Sequence, residues 1–122
     1  MSEPVYAAIE AGGTKFVCAI GTADGTLRER ARFSTRDPDS TLADALAFFE
    51  AAAQRHGRPR ALGIASFGPL ELDPYAPLYG RLLRTPKAGW HDADLIAPFA
   101  HLGDADPLRL RARHQRALEA AH

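Results

Sequence analysis

The stretch Glu10-Ala11-Gly12-Gly13-Thr14-Lys15 follows the apolar run Val5-Tyr6-Ala7-Ala8-Ile9 and precedes a second one, Phe16-Val17-Cys18-Ala19-Ile20. Two short apolar runs around a glycine pair predict a strand, a turn and a strand. Adjacent glycines let the backbone approach a ligand closely and adopt positive φ without a Cβ penalty. Successive main-chain N–H groups in such a turn form an anion-holding concavity. Thr14 adds a hydroxyl, and Lys15 a point charge for phosphate. Glu10, at the strand's end, suits Mg²⁺ held through its water shell. The competing account is a tight hairpin that merely contains glycines.

Outward from this turn the pattern continues. Gly21–Thr26 is a turn cluster built on Asp24-Gly25. A third strand follows, with Leu27, Ala31 and Phe33 expected on one face and Arg28, Arg30 and Arg32 on a solvated one. Asp37-Pro38-Asp39-Ser40 predicts a helix start, and Leu42, Leu46, Phe49 and Ala53 trace its apolar stripe. Gly57 is placed for a left-handed cap, Pro59 bars continuation, and His56 suits the negative end of the helix dipole. Ala61–Ser66 predicts a fourth strand ending in the turn Phe67-Gly68-Pro69. Residues 70–91 predict a long loop, of a length that is usually functional, and a short helix is expected over 93–102. Three meandering strands, a helix and a further strand make an α/β fold.

Composition removes several classes. A length of 122 residues with 46% hydrophobic and 25% charged residues is that of one ordinary soluble domain. Fifteen basic residues balance fifteen acidic ones, leaving no electrostatic footprint for nucleic acid or a membrane surface. The single cysteine, Cys18, excludes an internal disulfide and any multi-cysteine zinc site within these residues. Its alternation with apolar neighbours predicts a buried small hydrophobe. No apolar run is long enough to span a membrane, and Met1-Ser2-Glu3-Pro4 is unlike a signal peptide, so a cytoplasmic location is expected.

Ile9–Ala19 resembles the opening phosphate hairpin of the ROK family of sugar kinases, in its bacterial fructokinase branch. Gly63-Ile64-Ala65-Ser66-Phe67-Gly68-Pro69 and Tyr79-Gly80, leading to Thr85-Pro86-Lys87-Ala88-Gly89-Trp90, agree with that family in order and spacing. The match runs from about Val5 to Gly103, the amino-terminal part of the family's chain. The resemblance implies a partial N-terminal lobe of ribonuclease-H-like, actin-like ATPase fold over residues 1–103. It implies ATP phosphates at Gly12, Gly13, Thr14 and Lys15, with Mg²⁺ on the side of Glu10, where many relatives carry Asp. Ser66, Phe67, Gly68, Thr85, Lys87 and Trp90 would border the sugar. Trp90 stands equally as a wall against the sugar ring or as a packing anchor, and Lys87 as a sugar donor or a surface residue.

The family's catalytic base is an Asp in a strand-end Asp-x-Asn-Ala string, due shortly after residue 103, with a Cys/His zinc cluster later still. Neither occurs here; Asp104 and Asp106 come too early and lack the Asn. With CGN and CTN codons for Arg and Leu, the +1 frame from Asp106 to Ala117 permits Ile-Pro-x-Gly-x-x-x-Asp-Ile-Asn-Ala. Residues 104–122 are therefore expected to be a frameshifted, disordered tail that supplies no sheet strand. The rival is a basic partner-binding helix over 108–121, weakened because Arg109, Arg111 and Arg113 are spaced by two and scatter around a helix.

The resemblance thus implies an ATP-dependent kinase converting fructose to fructose 6-phosphate, represented by an amino-terminal portion without its base and inactive alone. Its partners would be sugar and ATP, and full-length relatives commonly pair. The alternative is a non-catalytic nucleotide- or sugar-binding regulatory domain. The family's repressors carry a helix-turn-helix before the first strand, and a strand starting near Val5 leaves no room for one.

Overall fold

The computed structural model describes residues 3–68, 70–71, 73, 75–83, 85, 87, 89–102 and 109–114. Pro69, Pro86, Ala88, Asp104 and Asp106, named above, lie outside these residues. Strands β1 (Tyr6–Ala11), β2 (Lys15–Gly21) and β3 (Leu27–Ser34) form the expected meander. Helix α1 (Pro38–His56) then returns the chain so that β4 (Ala61–Ser66) lies parallel to β1, as a helical crossover permits. A single 3₁₀ turn covers Ala97–Phe99, and β5 (Arg109–His114) completes a sheet of order β3-β2-β1-β4-β5.

Alternation along the strands divides the sheet into a packed and an open face. Ala7, Ile9, Ala11, Phe16, Cys18, Ile20, Leu62 and Ile64 are buried. They meet α1 and the segment carrying Leu82, Trp90, Leu95, Phe99 and Leu102 in one core. The opposite face carries Ala8, Glu10, Lys15, Val17, Ala19, Arg30, Arg32, Gly63 and Ala65, which border a concavity of about 640 Å³. Its depth follows from the small side chains at Ala8, Ala19, Gly63 and Ala65.

Helix α1 starts where Asp37 accepts from the Ser40 N–H at 2.9 Å, with Pro38 at a position that needs no donor. Four details differ from expectation. The buried stripe is Thr41, Leu42, Ala45, Phe49 and Ala52, so the helix is turned slightly from the Leu46/Ala53 line, and Leu46 is only partly buried. Gly57 has φ 91° and ψ 166°, positive but outside the left-handed helical region. In β3 the pairing steps from Ile20↔Glu29 to Gly21↔Leu27, so Arg28 is the extra residue of a bulge. The bulge moves Leu27 to the open side with Arg30 and Arg32, and Glu29 joins Ala31 and Phe33 opposite. The helix expected over 93–102 is only the 3₁₀ turn Ala97–Phe99, ahead of which the Asp94 carboxylate accepts from the Ile96 and Ala97 N–H groups at 2.9 Å each.

The segment expected to be disordered contains a strand. Arg109–His114 pair in parallel with β4, from Ala61↔Arg109 to Ser66↔His114. The alternation of arginine by two that argued against a helical face is the period of a strand. This corrects the expectation for those six residues and leaves the reading frame that encodes them a separate question.

Candidate functional site

The β1–β2 turn is closed by the Gly12 N–H donating to the Lys15 carbonyl at 3.0 Å. The two glycines serve different ends. A Cβ at Gly12 would lie 2.8 Å from the Lys15 carbonyl oxygen, so only glycine fits. A Cβ at Gly13 would meet nothing within 4 Å. Neither has the positive φ that the sequence suggested; among the described residues that conformation belongs to Gly25, Gly57, Gly80, Gly89 and Asp92. Close backbone approach is what the turn requires. Thr14 and Lys15 are exposed beside it, and Glu10 is half-buried. Glu10 and Lys15 border the same concavity.

A residue that sequence reasoning passed over holds this turn. Thr35, just past β3, donates its hydroxyl to the Gly12 carbonyl at 2.7 Å, and its N–H to the Thr14 carbonyl at 2.9 Å. A threonine ending a strand carries no signal beyond strand propensity. Its role becomes visible only when the meander brings Thr35 back to the turn.

The second turn lies at the same end of the sheet, because Ser66 is in register with Ala11. In parallel β-structures this carboxyl end is where ligands bind. Ser66 is wholly buried and its hydroxyl donates to the Gly68 carbonyl, closing the turn. Phe67 is partly buried and packs edge-on against Trp90, ring centroids 5.7 Å apart. Trp90 also stacks at a tilt on Phe16, at 5.5 Å, and its indole N–H donates to the Arg36 carbonyl at 2.7 Å. With no exposed surface, Trp90 packs as an anchor. It unites the beginning of β2, the Phe67 turn and the approach to α1. Thr85 and Lys87 are half-buried nearby, the Thr85 hydroxyl accepting from the Lys87 N–H at 3.1 Å and the Lys87 carbonyl from the Trp90 N–H at 3.3 Å.

Residues 6–105 match the description ROK family. The chain belongs to the ROK family. It is 40% identical over 96 residues to a fructokinase of Zymomonas mobilis, covering 78% of this chain and 32% of that protein. It is 42% identical over 89 residues to a fructokinase of Pediococcus pentosaceus, covering 73% of this chain and 29% of that protein. The fold matches a ROK family glucokinase from Streptomyces griseus, solved in complex with glucose and AMPPNP. The TM-score is 0.68 at 16% identity, over 90% of this chain and 33% of that one. The chain therefore spans roughly a quarter to a third of the length of the curated relatives it matches.

Within this ROK fold the Gly12–Lys15 turn offers groups that could hold a polyphosphate. Open space lies where a Gly13 side chain would stand, with an exposed hydroxyl at Thr14 and a cation at Lys15. Among the described residues no three His, Cys, Asp or Glu groups converge as a metal cage. Glu10 alone suits a hydrated Mg²⁺ shared with the phosphates, a common mode for that ion. Cys18 is wholly buried, and burial pushes its thiol up to about 12, so it is inert packing. His56 is in the last turn of α1, as expected, and there it lies 2.6 Å from Glu29. No helix among the described residues is long and apolar enough to cross a membrane.

Proposed function

We propose that this chain supplies the phosphate-holding lobe of an ATP-dependent hexose kinase of the fructokinase type. The observation that carries the proposal is the open space over Gly13, next in sequence to the exposed Thr14 and Lys15, at the sheet end where Ala11 is in register with Ser66. Fructose as the sugar rests on the fructokinase relatives. In the reaction, a fructose hydroxyl attacks the γ-phosphorus, the bond to the bridging oxygen breaks, and ADP leaves. Such a transfer needs positioning and charge neutralisation above all. The main chain of Gly12 and Gly13, with Thr14 and Lys15, would hold the phosphates. Glu10 would hold Mg²⁺, which neutralises phosphate charge when bound. Gly68, Thr85 and Lys87 would border the sugar.

The proton of the attacking hydroxyl needs a base. The 122 residues contain no asparagine, hence no Asp-x-Asn-Ala string, and we assign no base among them. The chain alone is expected to bind ATP–Mg²⁺ in calorimetry and to release no fructose-dependent ADP in a coupled assay. Fructose-dependent turnover by the purified chain would overturn the assignment of an inactive lobe, and absence of ATP binding would overturn the phosphate site. We further propose that residues from about Asp104 arise from a shifted frame. Sequencing the gene through codon 122 tests this: an open frame with Asp-x-Asn-Ala and a Cys/His cluster supports it, and an unshifted stop with no kinase sequence beyond removes it.

A further inference from the structure

The two residues between β3 and the cap of α1 are held from three sides. Thr35, 8% exposed, binds the carbonyls of Gly12 and Thr14. The Arg36 carbonyl accepts the Trp90 indole at 2.7 Å, and the Arg36 N–H donates at 2.8 Å to the hydroxyl of Thr41, which is wholly buried. Trp90 in turn holds the Lys87 carbonyl and packs on Phe67. The dipeptide Thr35-Arg36 therefore touches the phosphate turn on one side and the anchor of the 85–90 loop on the other.

We propose that Thr35 is the positioning residue of the phosphate turn, and that Thr35-Arg36 is a strap tying the turn's geometry to Trp90. This rests on the kinase reading of the turn given above. The physical reason lies in the planar peptide. The Gly12 carbonyl and the Gly13 N–H belong to one rigid trans unit, so fixing the first towards Thr35 fixes the direction of the second. Preset N–H groups bind an anion without first losing turn freedom. The indole bond to Arg36 holds the other end of the strap, so a displacement of Trp90 reaches Gly12 through two hydrogen bonds and the peptide between them. A strap of this kind transmits between sites only as far as its bonds are coupled, and the coupling is measurable.

The test is amide hydrogen exchange on the 122-residue chain without ligand, comparing Gly12 and Thr35, whose N–H groups are bonded to the Lys15 and Thr14 carbonyls, with Ile9 and Ile64 in the sheet. Thr35→Val removes the hydroxyl bond at nearly constant shape and is expected to speed exchange at the turn about five- to tenfold while the sheet amides hold. Thr35→Ser restores the wild-type rates. Trp90→Phe keeps the aromatic packing and loses the indole bond; it speeds the same turn amides, and adds nothing when Thr35→Val is already present. Unchanged turn amides in Thr35→Val, failure of Thr35→Ser to restore them, or full additivity of the two changes overturns the strap. If Thr35→Val does not fold, Trp90→Phe alone decides by whether Gly12 and Thr35 respond. A separate titration follows the Gly13 amide shift with tripolyphosphate. A wild-type turn that ignores tripolyphosphate while the exchange pattern holds removes the phosphate reading and leaves the strap standing.

Discussion

Arg55, in the last turn of α1, forks onto Glu29 of β3: its Nε donates to Oε2 and its Nη2 to Oε1, each at 2.6 Å. The pair fastens the end of the helix to the outermost strand of the sheet. With His56 beside the same carboxylate, it explains why a charged residue tolerates the helix-facing side of β3.

The Arg55 hydrogen bonds hold the Glu29 carboxyl at about 2, below its ordinary 4.5. A depressed folded value means the ionised form is favoured in the native state, so its stabilisation is full above about 4.5 and is lost as pH falls through about 2. Urea midpoints of wild type and Glu29→Gln should differ at pH 5 and converge on acidification towards about pH 2. A difference that survives unchanged at the acid end means the pair contributes nothing through ionisation.

The neighbouring glycines of the β1–β2 turn should behave oppositely. Gly12→Ala drives a methyl to 2.8 Å from the Lys15 carbonyl oxygen and should cost about 1–3 kcal/mol in chemical denaturation. Gly13→Ala has open space and should change stability by less than about 1 kcal/mol. Its methyl enters the space assigned to phosphate, so ATP–Mg²⁺ affinity measured by calorimetry should fall about tenfold or more. Equal stability losses in the two variants would contradict the division of roles.

How much of this was written in the sequence depends on the range of the interaction. Strand β4 coincides with its apolar run, and the first two strands differ from theirs by a residue or two, because alternation is a local property. The Glu10–Lys15 turn was legible for the same reason. What was not legible depends on tertiary contact. The bulge at Arg28 is set by pairing with β2, and Leu27 changes sides because of it. Trp90 could be assigned to a wall or an anchor from its neighbours in sequence; its burial against Phe16 and Phe67 comes from chain segments far apart. Thr35 is the clearest case, since its partners Gly12 and Thr14 lie across the β2–β3 hairpin. Spacing by two at Arg109, Arg111 and Arg113 did carry strand information, outweighed at that point by the mismatch to the family's string.

Cys18 offers a clean probe of the core. It is the one cysteine of the chain, lies wholly buried, and its thiol is pushed up to about 12 by burial. A thiol reagent at pH 8 should find it unreactive in the folded chain and stoichiometrically reactive in urea, since thiolate and access are both needed. The labelling rate across a urea series should follow the unfolding curve seen by circular dichroism. Rapid labelling in native buffer would place Cys18 at a surface the fold does not give it.

Strand β4 has a neighbour on each side, β1 and β5, and β5 is the only cover of its outer edge among the described residues. Leu62 and Ile64 make β4 apolar, and its six residues contain no proline. An uncovered strand of that kind presents free N–H and C=O groups to any second chain. A chain ending at Leu102 should therefore scatter more light and elute larger than the 122-residue chain at equal concentration. Arg111→Pro in the full chain removes one donor from the middle of β5 and should move behaviour in the same direction. If the shortened chain is as monodisperse and as resistant to urea as the longer one, β5 does not protect the edge. A loss confined to the shortened chain, with Arg111→Pro unaffected, points instead to residues outside the strand.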